Sequence, residues 1–212
     1  AKAFTPVAFI ARSPLLVTAS NRLPVKSASE LLALARSRPN HITYASSGLG
    51  SINQIAAELI ALSAGVKLSH VPYKGGAPAL NDLLGGHVDI YVSSLPQVLP
   101  VVQAGQANAL AVTSARRAPL LPDIPTLDES GISGFDLSSW WGIVGPGGMP
   151  PQIVSVLNAA IGEILASPEL GKLLAREGAE AETMTPQQFD NLLRTEILRW
   201  SKVAREGNIS IP

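Results

Sequence analysis

Predicted strands alternate with single predicted helices through the middle of the sequence, and this alternation limits the fold more than any other feature. The strands are short apolar runs rich in β-branched residues, and the helices are amphipathic segments between them. The strands cover residues 41–45, 68–72, 88–92 and 109–113, and the helices cover residues 51–64, 78–84 and 95–104. A parallel neighbour can be reached only by a crossover connection. The pattern therefore predicts a small open sheet of parallel β-α-β units.

The segments on either side of this region indicate a second lobe. Residues 4–18 read as two short apolar strands broken at Ser13-Pro14. Prolines and glycines between residues 115 and 138 block long regular elements, and the sequence beyond residue 150 is mostly helical. We therefore predict that residues 21–138 form one lobe. Residues 1–20 and 139–212 then form what remains of the other, and two chain crossings imply a hinge.

Capping boxes mark the first residues of three predicted helices. They lie at Ser27, Ser51 and Thr185, each followed three residues later by Glu or Gln. The helix that begins after Ser27 is expected to end at Pro39. These boxes fix where the predicted helices start, and the box at Ser51 places a helix N-terminus directly after a loop of small residues.

Composition excludes several classes of function. Sixteen Lys and Arg balance sixteen Asp and Glu without a basic stripe, so nucleic acid is not an expected partner. The absence of cysteine excludes thiolate metal sites and a cysteine nucleophile, and the three histidines are too far apart for an H-x-x-x-H pair. No metal or other cofactor is predicted. No apolar run approaches the roughly 20 residues that a membrane helix needs, and we expect any export signal to have been removed.

The strongest local feature is the loop Tyr44-Ala-Ser-Ser-Gly-Leu-Gly-Ser51, between a strand and a helix. Free N–H groups and the positive end of the helix dipole meet there, and the glycines let a ligand approach the backbone. The loop predicts carboxylate binding by five residues: Ser46, Ser47, Gly48, Gly50 and Ser51. In the alternative reading, glycine and serine simply make a tight turn. Asn53 stands where a dinucleotide fingerprint needs its third glycine, so nucleotide cofactors are disfavoured.

Two further strand-to-helix loops carry polar or small residues. Tyr73 offers a hydroxyl and Gly75 an amide in one of them, and Ser93 with Ser94 follows the next strand. The carboxyl ends of parallel strands share one sheet edge, so these residues are predicted to lie beside the first loop. Lys74 reads more readily as a solvated turn residue.

Other candidate residues lie outside these loops. Asp89 is expected to pair with backbone or a lysine. Of the neighbouring tryptophans, Trp140 is the candidate to line a ligand cleft between the lobes, whereas the other is expected to pack in a core.

A catalytic apparatus is not predicted. The sequence has no G-x-S-x-G elbow and no paired carboxylates in these loops. His41, His70 and His87 read as surface or capping residues, so we expect no histidine beside the serine-rich loops. The chain is therefore predicted to bind a ligand without acting as an enzyme.

Taken together, these motifs resemble the Bug family of periplasmic solute receptors, which serve tripartite tricarboxylate transporters. The resemblance covers essentially the whole chain and is carried by Tyr44–Gly48, Gly50-Ser51, His70–Ala79, Asp82–Asp89, Ala109–Ser114, Leu121–Thr126, Ser139–Gly142 and Gly145-Pro146. It implies a type II periplasmic-binding-protein-like α/β fold with two lobes and a hinge. It also implies a periplasmic location, a small carboxylate as ligand and the membrane subunits of the transporter as partners.

Three departures from the family pattern qualify this resemblance. Family members usually begin with an export signal and a further strand-to-helix loop, so we expect the N-terminal part of one lobe to be missing here. Strand edges near residues 4–18 would then be exposed and would favour a homodimer. Gln54 stands where the family often has His, and Ser93 near where an acidic residue is common. The identity of the carboxylate is therefore not carried over.

Three alternatives to a solute receptor stay open on sequence grounds. The first is the effector-binding domain of a LysR-type transcription regulator, which has a similar fold and length. The second is an α/β enzyme that acts on a carboxylate, and the third is a fragment with only a structural role.

Overall fold

The computed structural model describes residues 3–206. Its strands are β1 (Phe4–Ser20), β2 (Thr43–Ser46), β3 (Ser69–Pro72), β4 (Ile90–Ser94), β5 (Ala107–Val112), β6 (Ser138–Pro146) and β7 (Glu180–Ala181). Its helices are α1 (Ala28–Ser37), α2 (Ile52–Ala64), α3 (Gly76–Gly85), α4 (Leu95–Gln103), α5 (Pro151–Leu165), α6 (Pro168–Arg176) and α7 (Pro186–Glu206). The chain forms two units. The first unit holds residues 3–13 with Ser139–Lys202, and the second unit holds Pro14–Ser138 with residues 203–206.

The second unit is built on a sheet with the strand order β3-β2-β4-β1-β5. Strand β2 runs parallel to both neighbours, with Tyr44 opposite His70 on one side and Ile90 on the other. The parallel β-α-β units predicted from the alternation are therefore present. Buried apolar side chains fill the core beneath α3 and α4, including Leu83, Leu95 and Val98.

One strand of this sheet runs antiparallel to its neighbours, which the alternation did not predict. The C-terminal half of β1 lies between β4 and β5, with Val17 opposite both Val92 and Ala111. Because β1 precedes the β-α-β series in the chain, it reaches the sheet without a crossover helix. Its insertion separates β4 from β5, so these two consecutive strands of the alternation do not pair.

Strand β1 is continuous, although residues 4–18 were predicted to form two strands. Its N-terminal half pairs with β6 and β7, and its C-terminal half pairs with β4 and β5. Pro14 lies where one set of partners gives way to the other, so its missing N–H does not interrupt a ladder. The chain passes from the first unit to the second at Ser13-Pro14. The predicted boundary between lobes at residue 20 stays a prediction. On the side of β7, pairing covers only Ala11 and Arg12, so exposed strand edges near residues 4–18 stay a prediction.

The predicted capping boxes form at the helix starts. The Glu30 N–H donates to Ser27 Oγ at 3.2 Å, while Glu30 Oε2 accepts from the Lys26 N–H at 2.6 Å. At α7 the exchange is reciprocal within one pair: Gln188 N–H donates to Thr185 Oγ1, and Thr185 N–H donates to Gln188 Oε1. Each box satisfies N–H groups that have no acceptor within the helix.

The first unit contains a short strand that the sequence did not reveal. Strand β7 has only two residues, and it pairs with Ala11 and Arg12 of β1. No hydrophobic period can mark an element of that length. No single helix between residues 3 and 206 is long and apolar enough to cross a membrane. Helices α5 and α6 reach that length and hydrophobicity only when taken together, and a bend of 74° separates them.

Candidate functional site

Three helix N-termini lie at the edge of the second unit's sheet where its parallel strands end. Strands β3, β2 and β4 are neighbours in that order, and each leads directly into a helix. We call the residues between strand end and first helical turn the three-loop edge: residues 46–54, 73–77 and 93–97. Since the carboxyl ends of parallel strands share one edge, the N-termini of α2, α3 and α4 come together there.

Hydrogen bonds connect the first loop to both of its neighbours. The Tyr73 N–H donates to the Ser46 carbonyl at 3.0 Å, which ties the second loop to the first. The Asn53 side-chain amide donates to the Val92 carbonyl at 2.8 Å, which ties α2 to β4. The sequence therefore brings the three predicted loops together, and they are held as one network.

Ser46 contributes to the shape of the loop, rather than facing solvent as a ligand donor. Its side chain is fully buried, and its Oγ lies 2.6 Å from His70 Nε2. The same Oγ donates to the Gly48 carbonyl and accepts from the Gly48 N–H. The His70 ring stacks on the buried Tyr44 ring at 4.8 Å. The expectation that no histidine lies beside the serine-rich loops is therefore wrong, because parallel pairing of β2 with β3 places His70 against Ser46.

The rest of the first loop is also held by internal hydrogen bonds. The Ser47 hydroxyl donates to Asn53 Oδ1 at 2.6 Å, and the Gly50 N–H donates to Gln54 Oε1 at 2.8 Å. Ser51 is the N-cap of α2 and accepts from the Gln54 N–H. Gly48 has a φ of 136°, which side chains of L-residues rarely allow, so glycine is required there.

Tyr73 directs its hydroxyl towards Asp82, and both residues are half-buried. It donates to Asp82 Oδ2 at 2.7 Å. Burial, followed by this hydrogen bond and the charge of Asp82, raises the pKa of Tyr73 to about 12. The phenol is therefore protonated at neutral pH and its proton is already donated to Asp82. A hydrogen bond from this O–H to a ligand anion would have to replace the one to Asp82, and that ligand contact stays a prediction.

The Ser93 hydroxyl is likewise hydrogen-bonded within the protein. Its side chain is 1% exposed, and its hydroxyl donates to Gln97 Oε1 at 2.6 Å. The Tyr91 hydroxyl donates to the same oxygen at 3.3 Å. Burial raises the pKa of Tyr91, so this hydroxyl too carries its proton at neutral pH. Ser94 is the N-cap of α4 and makes no side-chain hydrogen bond to that helix.

The predicted polar residues therefore build the edge, and the backbone N–H groups at the helix starts are the candidate donors to a ligand. Gly75 is the N-cap of α3 and has no side chain with which to cap it, and α4 lacks a side-chain cap as well. The first N–H groups of a helix have no acceptor within it. None of α2, α3 and α4 has an acidic residue in its first turn, so the positive ends of three helix dipoles are not neutralised. This arrangement suits an anion.

Sequence reasoning missed three residues of this network: Asn53, His70 and Gln97. The spacing of Ser93 and Gln97, four residues apart at a helix start, is the one signal from which this contact could have been predicted. The remaining candidates lie as follows. Lys74 is exposed, and Asp89 accepts from the Thr43 N–H and hydroxyl at 2.8 Å each, in agreement with its expected structural pairing.

Trp140 lies in an aromatic cluster of the first unit. Its ring centroid is 6.1 Å from that of Phe9 and 5.7 Å from that of Phe189, and both phenylalanines are buried. Trp141, by contrast, is 49% exposed. Trp140 is half-buried and packs against the rings of Phe9 and Phe189, and its predicted place in a ligand cleft stays a prediction. Across residues 3–206, no group of three or more metal-ligating side chains is placed to hold an ion.

We expect protonation of His70 to reduce the stability of wild type below pH 6.5. Burial lowers the pKa of His70 from its ordinary value of 6.5. The unfolded chain therefore binds this proton more readily, so the stabilisation is complete above pH 6.5 and is lost as the pH falls towards the folded-state pKa. Urea unfolding at several pH values between 5 and 7.5 measures this effect. As the pH falls, the free energy of unfolding should decrease less in His70→Gln than in wild type. The matched control is exposed His41→Gln, and equal slopes in all three proteins would contradict the expectation.

The chain is similar in sequence and in fold to known proteins. A family model described as "Tripartite tricarboxylate transporter family receptor" matches residues 1–209. The solved structure of Rpa4515 from R. palustris with adipate is 39% identical, with a TM-score of 0.86 over 99% of this chain and 70% of that one. MatC (Rpa3494) from Rhodopseudomonas palustris with bound malate is 32% identical, with a TM-score of 0.80 over 94% of this chain and 69% of that one.

A curated relative extends the comparison to sequence. Protein BugT of Bordetella pertussis is 35% identical over 201 residues, which are 95% of this chain. The chain spans 62% of the length of BugT. The solved relatives confirm the predicted α/β fold of a periplasmic binding protein, and the family consists of solute receptors rather than enzymes. The chain belongs to the tripartite tricarboxylate transporter receptor family.

Proposed function

We propose that the three-loop edge binds one carboxylate of a small dicarboxylate. The observation that carries this proposal is the meeting of three helix N-termini whose first turns hold no acidic residue. The carboxylate accepts hydrogen bonds from backbone N–H groups and interacts with the positive ends of the helix dipoles. The serine and tyrosine side chains hold the loops in the geometry that presents those groups.

The wider role follows from the family. Solved members are periplasmic binding proteins, and two neighbours were solved with adipate and with malate. Both ligands are dicarboxylates, which supports this class of ligand here. We therefore propose a periplasmic receptor that delivers its ligand to the membrane subunits of a tripartite tricarboxylate transporter. This support favours a receptor over the effector domain of a LysR-type regulator.

Binding without chemistry is the mechanism that the contacts support. The pair formed by Ser46 and His70 has the residue types of a nucleophile and a base. The Ser46 side chain is fully buried, however, and its Oγ also exchanges hydrogen bonds with Gly48. A substrate has no access to that oxygen, so the pair holds the loop.

Isothermal titration calorimetry of the 212-residue chain tests the proposed ligand class. We expect saturable binding of adipate or malate at 1:1 stoichiometry, weaker binding of a monocarboxylate of matched length, and none of a diamine. Affinity should fall as salt is added, because charge attraction contributes to it. The absence of heat with every dicarboxylate, on protein that unfolds cooperatively, would overturn the proposal.

A further inference from the structure

We propose that Gln97 is a specificity-determining residue whose side-chain N–H₂ group donates to a ligand carboxylate at the start of α3. This inference rests on the proposed function, and it names a donor that belongs to none of the predicted loop positions. Gln97 lies in the first turn of α4 and is partly exposed. Its side chain reaches from α4 to the neighbouring N-terminus of α3.

The position of the Gln97 amide is defined by a close approach to Gly76. A Cβ atom built on Gly76 would lie 2.2 Å from Gln97 Nε2 and 3.0 Å from Cδ. The amide therefore occupies the space in which any other residue at position 76 would have its side chain. Gly76 is the first residue of α3, so Nε2 lies beside N–H groups that have no acceptor within that helix.

The orientation of the amide is defined by its oxygen. Oε1 accepts from the Ser93 hydroxyl at 2.6 Å and from the Tyr91 hydroxyl at 3.3 Å. Two donors on Oε1 turn the nitrogen away from them and towards Gly76. Within residues 3–206, Nε2 has no hydrogen-bond acceptor, so its two N–H groups are available to a ligand. A donor already held in place loses little conformational entropy on binding.

The surroundings of the Gln97 amide favour a negative charge on the ligand. An amide nitrogen beside the positive end of a helix dipole favours a carboxylate and disfavours an ammonium group. Exposed Lys74, two residues before α3, adds a positive charge to the same loop. We therefore infer that the ligand presents a carboxylate, and not an amino group, at this end of the site.

Gln97→Glu tests this inference, because it replaces the N–H₂ group with an oxygen at nearly constant shape. At pH 7.5 we expect adipate or malate, whichever wild type binds, to bind at least about tenfold more weakly, since two carboxylates then face each other. Affinity should recover as the pH falls and the introduced carboxylate gains a proton that it can donate. Gln97→Met should also weaken binding, but without that recovery. Gln103→Glu adds the same charge at the exposed end of the same helix, and it should bind within twofold of wild type.

The outcomes separate the inference from the function on which it rests. If wild type binds neither dicarboxylate, both fail. If wild type binds and folded Gln97→Glu binds equally well at pH 7.5, Gln97 is not a ligand donor and the proposed function stands. Should Gln97→Glu not fold, Gly76→Ala serves instead, because its Cβ displaces the Gln97 amide. Unchanged affinity in that variant would overturn the inference, and an affinity loss would support it.

Discussion

Replacing Ser94 with aspartate is expected to weaken dicarboxylate binding by roughly ten- to hundredfold while leaving the protein at least as stable as wild type. Ser94 is the N-cap of α4, has an extended backbone with φ −61° and ψ 145°, and makes no side-chain hydrogen bond to the helix. Aspartate is among the best N-cap residues, so it should accept from the first turn and stabilise folding by about 0.5–1 kcal/mol. Its charge neutralises the dipole end and repels a carboxylate ligand.

The opposite signs of these two effects make the experiment informative. A mutation that merely damaged the fold would lower stability and affinity together, whereas Ser94→Asp should raise one and lower the other. Calorimetry and thermal unfolding measure the two quantities on the same sample. Ser94→Asn is the matched control, because asparagine caps equally well without a charge and should keep most of the affinity. Equal affinities for the Asp and Asn variants would show that the N-terminus of α4 lies outside the site.

The positions of the three strand-to-helix loops could be predicted from the sequence, because they depend on local chemistry. Capping boxes and glycine pairs mark strand-to-helix turns, and the alternation of elements places three such turns on one sheet edge. Which side chains of these loops are hydrogen-bonded within the protein could not be predicted, because that depends on residues far apart in the chain. Ser46 meets His70 across a parallel ladder, and the hydroxyls of Tyr91 and Ser93 converge on Gln97. The predicted serine donors are used within the protein for this reason.

The fold shows the same division between local and distant causes. Alternating apolar segments predict β-α-β units, since the hydrophobic period of each strand or helix depends only on its own residues. The partners of β1 could not be predicted in this way, because they lie more than 70 residues away in β4 and β5. Pro14 reads as a break in a strand when seen alone. In the structure it marks the point at which one strand changes partners, and only the full hydrogen-bond pattern reveals this.

Phe189→Ala is expected to destabilise the first unit by about 3–5 kcal/mol, because it leaves a cavity in the aromatic cluster. The Phe189 side chain is fully buried, lies edge-on to the rings of Phe9 and Trp140, and fills the space that a Cβ on Gly142 would need, at 2.3 Å from its Cζ. The distribution of chromophores lets this effect be assigned. All three tryptophans belong to the first unit and all three tyrosines to the second.

Urea unfolding is therefore followed by tryptophan fluorescence for the first unit and by the tyrosine bands of the second-derivative absorbance spectrum for the second unit. In Phe189→Ala the tryptophan transition should move to lower urea by more than the tyrosine transition. Phe135→Ala, which removes a buried phenylalanine from the second unit, is the matched control and should show the reverse. A tryptophan transition that stays in place would contradict the packing role of Phe189. Dicarboxylate affinity measured without urea should persist in Phe189→Ala, because the three-loop edge belongs to the other unit.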